Sequence, residues 1–267
     1  MTAAARSAAS SPLAIQVGHL ARRSILRTMR QPAMIVPGIT FPLFLLAVNA
    51  GGLDAATELP GFPTDSYLTF ALAITFMQAA LFATNAGGND LAEDIRTGFL
   101  SRLSLTPLRR SALLAGQLAG VVALGVFQAA VFVAVGLAAG AGIEAGVGGA
   151  LVLIALSVMT SLAFGTIGAL IGLRTGSGEA VQGFFPLLFV LLFLSSMNLP
   201  RDLIEQDWFR TIATWNPVSY LLEGFRSLLI FGWDGEALAL AFGIAAALFA
   251  VALWASSRAL ASRMVRT

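Results

Sequence analysis

The sequence contains no lysine and no cysteine, a single histidine, and little charge of either sign. Each shortage excludes something. A phosphate-cradling P-loop needs a lysine to reach the nucleotide phosphates, so no ATP-hydrolysing site of that kind is present. Without cysteine there are no disulfides, thiolate metal sites or cysteine nucleophiles. The one histidine, His19, stands close to Arg22 and Arg23, a poor setting for a metal cluster. Only 11% of residues are charged, whereas a soluble domain carries ~25% to face water. A net charge of +2 is too small to suggest nucleic acid as a partner.

What is present is apolar. Of 267 residues 57% are hydrophobic, and mean hydropathy is +0.84. Six uncharged runs approach or exceed the ~20 residues that cross a bilayer. They are Ala33–Leu53, Ser66–Asn89, Ser111–Ile143, Ala145–Leu173, Ala180–Pro200 and Ala237–Ser257. The expected fold is all-α: one polytopic membrane domain over 1–267 with six transmembrane helices. The stretch before the first run lacks an apolar core with a cleavage site, so that run reads as a span and not a leader.

Orientation follows from arginine, which supplies all 16 basic residues. With both termini in the cytoplasm, thirteen arginines lie inside and only Arg201, Arg210 and Arg226 outside. The opposite orientation violates the positive-inside bias. The expected location is therefore the cell inner (cytoplasmic) membrane, multi-pass, with both termini cytoplasmic.

Two segments are amphipathic. In 12–31, Gln16, His19, Arg23, Arg27 and Arg30 share one helical face, opposite Ala14, Val17, Ala21, Ile25 and Met29. That pattern predicts a helix in the cytoplasmic membrane interface, its arginines among anionic headgroups, ended by Pro32. The second is the helix Pro217–Phe231 within an extracellular segment, 201–236. Asn216 suits its cap and Pro217 its first position. Val218, Leu221, Leu222 and Phe225 make one face; Ser219, Glu223, Arg226 and Ser227 make the other. At about fifteen residues it is too short to cross, hence interfacial or re-entrant.

No run carries a charge near its centre, and ion-coupled transporters usually need one. Gln78, Asn85, Gln117, Gln128, Gln182 and Asn198 are the strongest polar groups in the membrane, expected to hold helices together. Gly116 with Gly120, Gly136 with Gly140 and Gly168 with Gly172 stand at helix-packing distance. If molecules are transported, the energy comes from another chain.

Between the second and third runs lies Asn89–Arg110, a loop region with Glu93, Asp94, Arg96, Gly98, Leu100, Leu103, Thr106 and Pro107 in order. It resembles the cytoplasmic loop of ABC type-2 exporter permeases: acidic, basic, Gly, Leu, Leu, then Thr-Pro. Arg23, Arg30 and Pro32 stand where that family has an Arg-x-Pro interfacial helix, and Trp215-Asn216-Pro217-Val218-Ser219-Tyr220 resembles its motif after the fifth span. The likeness is strongest to the daunorubicin-resistance branch. It implies a dimer, of identical or related subunits, docked on two copies of a cytoplasmic ABC ATPase. The partner would bind ATP and Mg2+, this chain binding no cofactor and being no enzyme.

The resemblance also makes 90–110 the coupling loop, with Glu93–Leu103 a helix docked on the ATPase. Glu93 would offer a carboxylate, Gly98 a close backbone approach, and Leu100 an apolar anchor. Tyr220, Glu223 and Arg226 would belong to an outer re-entrant element. The expected cargo is a hydrophobic small molecule or a membrane lipid. Polysaccharide or glycolipid export fits less well, since no aromatic-lined path is evident and Trp254 is the only tryptophan in a run. A non-transporting scaffold for an ATPase is the further alternative.

Overall fold

The computed structural model describes residues 12–104 and 109–266. Every element among them is helical: α1 (Leu13–Met29), α2 (Pro32–Ile35), α3 (Pro37–Gly52), α4 (Tyr67–Arg96), α5 (Phe99–Ser104), α6 (Arg110–Ala138), α7 (Gly146–Thr175), α8 (Gly178–Phe193), α9 (Asp207–Trp215), α10 (Pro217–Arg226) and α11 (Gly235–Arg266). Local chemistry sets several boundaries. The Ser66 and Ser177 hydroxyls accept from Thr69 N and Ala180 N at the starts of α4 and α8, 3.3 Å each. Gly176, at φ +69°, turns the chain out of α7. Asp234 caps α11 by accepting from Glu236 N and Ala237 N at 3.0 and 3.2 Å.

Among the described residues, five segments are long and apolar enough to cross a membrane: Pro32–Gly52, Tyr67–Arg96, Ser111–Ala138, Gly146–Thr175 and Gly235–Arg263. The sequence led us to expect a sixth over Ala180–Pro200. Its helix, α8, instead stops at Phe193 after 16 residues, ~24 Å against a ~30 Å hydrocarbon core. Leu194–Pro200 is uncharged but unwound.

The buried centre is α4, wrapped by α3, α6, α7, α8 and α10. Its contact with α7 is backbone to backbone. A Cβ on Gly168 would overlap the Thr84 carbonyl, and one on Gly172 the Gly88 carbonyl, so the helices approach as only glycine allows. Gly116 and Gly120 of α6 do the same for α1, receiving Leu20, Ser24 and Thr28. The third pair divides: Gly136 packs on Leu72, while Gly140, at φ +93°, ends the turn after α6.

The arrangement of α1 differs from the expectation in one respect. Gln16, Ser24 and Thr28 are buried against α6, while Leu13, Ile15 and Leu26 are exposed. The Ser24 hydroxyl donates to Gln117 O at 2.8 Å, and Gln16 Oε1 accepts from Arg109 N at 3.1 Å. Polar side chains here bind α1 to the protein.

Candidate functional site

Most charged side chains that pair across the fold meet at the end of the bundle that carries α1. There α4 runs beyond the apolar core and presents Asp90 and Asp94, one turn apart and both buried. Arg23 and Arg27, one turn apart on α1, face them. Arg23 grips Asp94 with both fork nitrogens, Nη1 to Oδ2 at 3.0 Å and Nη2 to Oδ1 at 2.7 Å. Arg27 bridges the two acids, Nη1 to Asp94 Oδ1 at 2.8 Å and Nε to Asp90 Oδ1 at 3.1 Å. The arginines were expected among headgroups; in the structure they neutralise carboxylates that the bundle has desolvated.

The cluster reaches the following segment as well. The Arg23 guanidinium lies over the Phe99 ring at 3.9 Å, so α1, α4 and α5 share one cation. The hydrogen bond to Asp94 raises the Arg23 pKa above its ordinary value, fixing the charge. Gly98, between α4 and α5, has φ +68° with open space around it. Its requirement is therefore conformational: the chain reverses there in the left-handed region.

The expected ATPase-facing residues separate into two groups. Glu93 and Arg96, beside the clasp on α4, are half-buried and exposed, and pair with each other at 2.7 Å. Leu100 is 6% exposed and packs with Leu91, Leu113, Leu173 and Leu260. It serves this chain's own core, because α5 folds back under α4 and α6, and Leu103 packs at the same cluster's edge. Thr106 and Pro107 lie outside the described residues. Arg30 is exposed at the end of α1, and Pro32 opens α2.

At the far end of the bundle, α10 is an interior helix. Phe225 stacks on Phe76 at 5.2 Å, and Ser219, Arg226 and Ser227 are buried. Both faces named from the sequence are thus largely enclosed, since Val218, Leu221, Leu222 and Phe225 are buried as well. Arg226 donates to Ser196 O at 2.6 Å and Met197 O at 2.5 Å, with Phe70 beneath it at 3.6 Å. Asn216 Nδ2 donates to Leu191 O and Leu194 O at 2.6 and 3.1 Å, while its Oδ1 caps Val218 N. Tyr67 donates to Asn198 O at 3.1 Å.

These donors explain the shortened α8. The carbonyls that an unwound helix end leaves without partners are collected by side chains of α10 and α4. Nearby, Arg201 pairs with Glu223 at 2.7 Å and covers the Tyr220 ring at 4.5 Å. Burial pushes the Glu223 carboxyl up, partly offset by Arg201.

Asp90 was not singled out by the sequence reading. The available signal was spacing: Arg23/Arg27 and Asp90/Asp94 are both four apart, opposite in sign and matched in reach.

The sequence is similar to known proteins over most of its length. The sequence profile of the ABC-2 type transporter family matches residues 15–230, which hold the clasp and α10. The chain is 28% identical over 237 residues to the daunorubicin resistance ABC transporter permease protein of Streptomyces coeruleorubidus, covering 86% of this chain and 80% of that one.

Proposed function

The chain belongs to the ABC-2 type transporter family, and on that premise we propose that it is the permease subunit of an exporter moving hydrophobic or amphipathic molecules, drugs or lipids, outward. It is a multi-pass membrane protein of a permease family. Energy comes from a separate cytoplasmic ATPase, two copies binding ATP and Mg2+ beneath a dimer of permease subunits. The α1 end, rich in arginine, faces the cytoplasm of the inner membrane with both termini, by the positive-inside bias. The α9–α10 segment is the outer, re-entrant element, with Trp208 and Trp215 exposed on α9 as headgroup-level anchors.

The observation that carries this reading is the clasp of Arg23 and Arg27 on Asp90 and Asp94. It ties the surface helix α1 to the central helix α4 and to the α5 turn, so a push on any of the three moves α4. Glu93 and Arg96, beside the clasp at the α4 end, are the groups available to the ATPase. Gly98 sets the α5 turn, and Thr106 and Pro107 belong to the same loop. Leu100 and Leu103 act within this chain, transmitting the load through the α5 packing.

The test is transport by the purified chain in liposomes, with and without its ATPase. Uptake of a hydrophobic dye driven by ATP, needing both chains and insensitive to a pH step, is the expected result. Uptake driven by a pH step in the chain alone contradicts it.

A further inference from the structure

A groove runs along the surface of the bundle between α6 and α11, which both pack on α7 and touch each other little. It consists of two adjoining hollows of about 390 and 630 Å³ that share Ala115, Leu118 and Phe249. Its floor is low because Ala115, Ala119 and Ala123 recur every fourth residue on one face of α6. Ser111 borders one end and Ala123 the other, so the groove follows about 18 Å of helix. One leaflet of hydrocarbon is ~15 Å deep, which makes this the length of a single acyl chain. No residue of α3, α4, α8 or α10 borders it.

The Ser111 end is basic. There the Arg258 guanidinium covers the Trp254 ring at 4.2 Å, and Trp254 borders the groove. On α1, Arg22 stands three positions before Ile25, which lines the same groove, and shares its helical face. Helix α1 runs alongside α6 in the same direction, Gln16 meeting Arg109 and Ser24 meeting Gln117, so Arg22 lies toward the Ser111 end. Arg22 and Arg258 are exposed, and neither has a carboxylate partner among the described residues. Their neighbours Arg23 and Arg27, by contrast, are neutralised by Asp90 and Asp94. No Asp or Glu borders either hollow.

An apolar groove one leaflet deep, ending at two unpaired guanidinium groups beside an interfacial tryptophan, fits one kind of occupant. A neutral lipid leaves the cations unanswered, and a zwitterionic headgroup brings an ammonium against like charge. We propose that the α6–α11 groove holds an anionic phospholipid, one acyl chain along the alanine floor and its phosphate at Arg22 and Arg258. The lipid is a bound partner of the surface where α1, α6 and α11 meet. The proposal goes beyond the exporter reading and uses only the chain's place in a membrane.

The test reads Trp254 fluorescence in the full chain carrying Trp208→Phe, Trp215→Phe and Trp233→Phe, without ATPase. The chain is placed in phosphatidylcholine bilayers containing a rising fraction of lipid brominated on its acyl chains, which quenches indole on contact. Brominated phosphatidylglycerol is expected to reach half-maximal quenching at about fivefold lower mole fraction than brominated phosphatidylcholine. Arg22→Gln combined with Arg258→Gln is expected to bring the two curves together. Ala119→Phe fills the floor and leaves both arginines, and is expected to remove most of the preference.

Superimposed curves with both arginines present overturn the proposal. A full preference in the folded Ala119→Phe chain overturns it too, because headgroup attraction at the membrane surface then accounts for the result without the groove. Quenching by neither lipid also overturns it and gives the groove to a second copy of the chain. Should the tryptophan changes prevent folding, native mass spectrometry of the otherwise unaltered chain decides, after delipidation and addition of equal phosphatidylglycerol and phosphatidylcholine. Preferential retention of phosphatidylglycerol, lost in the double arginine variant, is expected; equal retention overturns the proposal. With no ATPase present, either result leaves the exporter reading untouched.

Discussion

Asp94 accepts both fork nitrogens of Arg23 and a third hydrogen bond from Arg27, so one buried carboxylate on α4 holds two arginines of α1. The two helices are otherwise joined mainly through α6. This makes Asp94 the direct joint between two helices whose contacting residues stand 71 and 67 positions apart in sequence. Asp94→Asn keeps the shape and removes the charge. With Arg23 partly solvated, the expected loss is about 2 kcal/mol, below that of a fully buried pair. Thermal unfolding in detergent measures it, and an unchanged midpoint would mean the clasp contributes nothing to stability.

Arg226 supports the far end by a different chemistry, donating to two carbonyls. Arg226→Met leaves Ser196 O and Met197 O buried without a donor, an expected loss of about 3 kcal/mol. Arg226→Lys should recover little, because a single ammonium on a flexible stem does not reproduce a planar fork. Hydrogen exchange at Leu194–Asn198 reports it directly: faster exchange in both variants is expected.

The α4–α7 contact predicts a steric result. Gly168→Val drives a side chain into the Thr84 carbonyl and must separate two helices, an overpacking cost of about 3 kcal/mol or more. Gly183→Ala on α8, with nothing within 4 Å, is the control and should be neutral or slightly stabilising. Fluorescence-detected size exclusion after a heating series separates the two outcomes.

How much of this was legible in the sequence depends on which interactions decide each element. The long charge-free runs around α4, α6, α7 and α11 read correctly, because burial of backbone in lipid leaves helix as the one solution. Leu194–Pro200 misled for the same reason. It is as free of charge as a span, and its unwinding depends on Asn216 and Arg226, side chains that reach back from α10. On α1 the arginine face was visible, but its partners lie 67 and 71 residues away on α4. The need for glycine at 98 was also visible, whereas the reason, a positive φ with open space around it, required the backbone.

Topology follows from the absence of cysteine, which allows single cysteines to report sidedness. Ala55→Cys and Ser101→Cys, at opposite ends of α4, are both exposed. Cell-impermeant maleimide applied to intact cells should label position 55 alone, and label 101 only after the membrane is opened. Labelling of both from outside would contradict the inward-facing α1 end.

Coupling through Asp94 is the central claim, and the coupling ratio in one set of vesicles tests it most directly. The chain and its ATPase are co-reconstituted, and ATP hydrolysis and dye transport are read together for the native chain, Asp94→Asn, and the exchange of Asp94→Arg with Arg23→Asp. The account predicts that Asp94→Asn still binds the ATPase and permits hydrolysis but transports at least tenfold less per ATP, and that the exchange restores part of the ratio. A native ratio of transport to hydrolysis in the folded Asp94→Asn chain would contradict it.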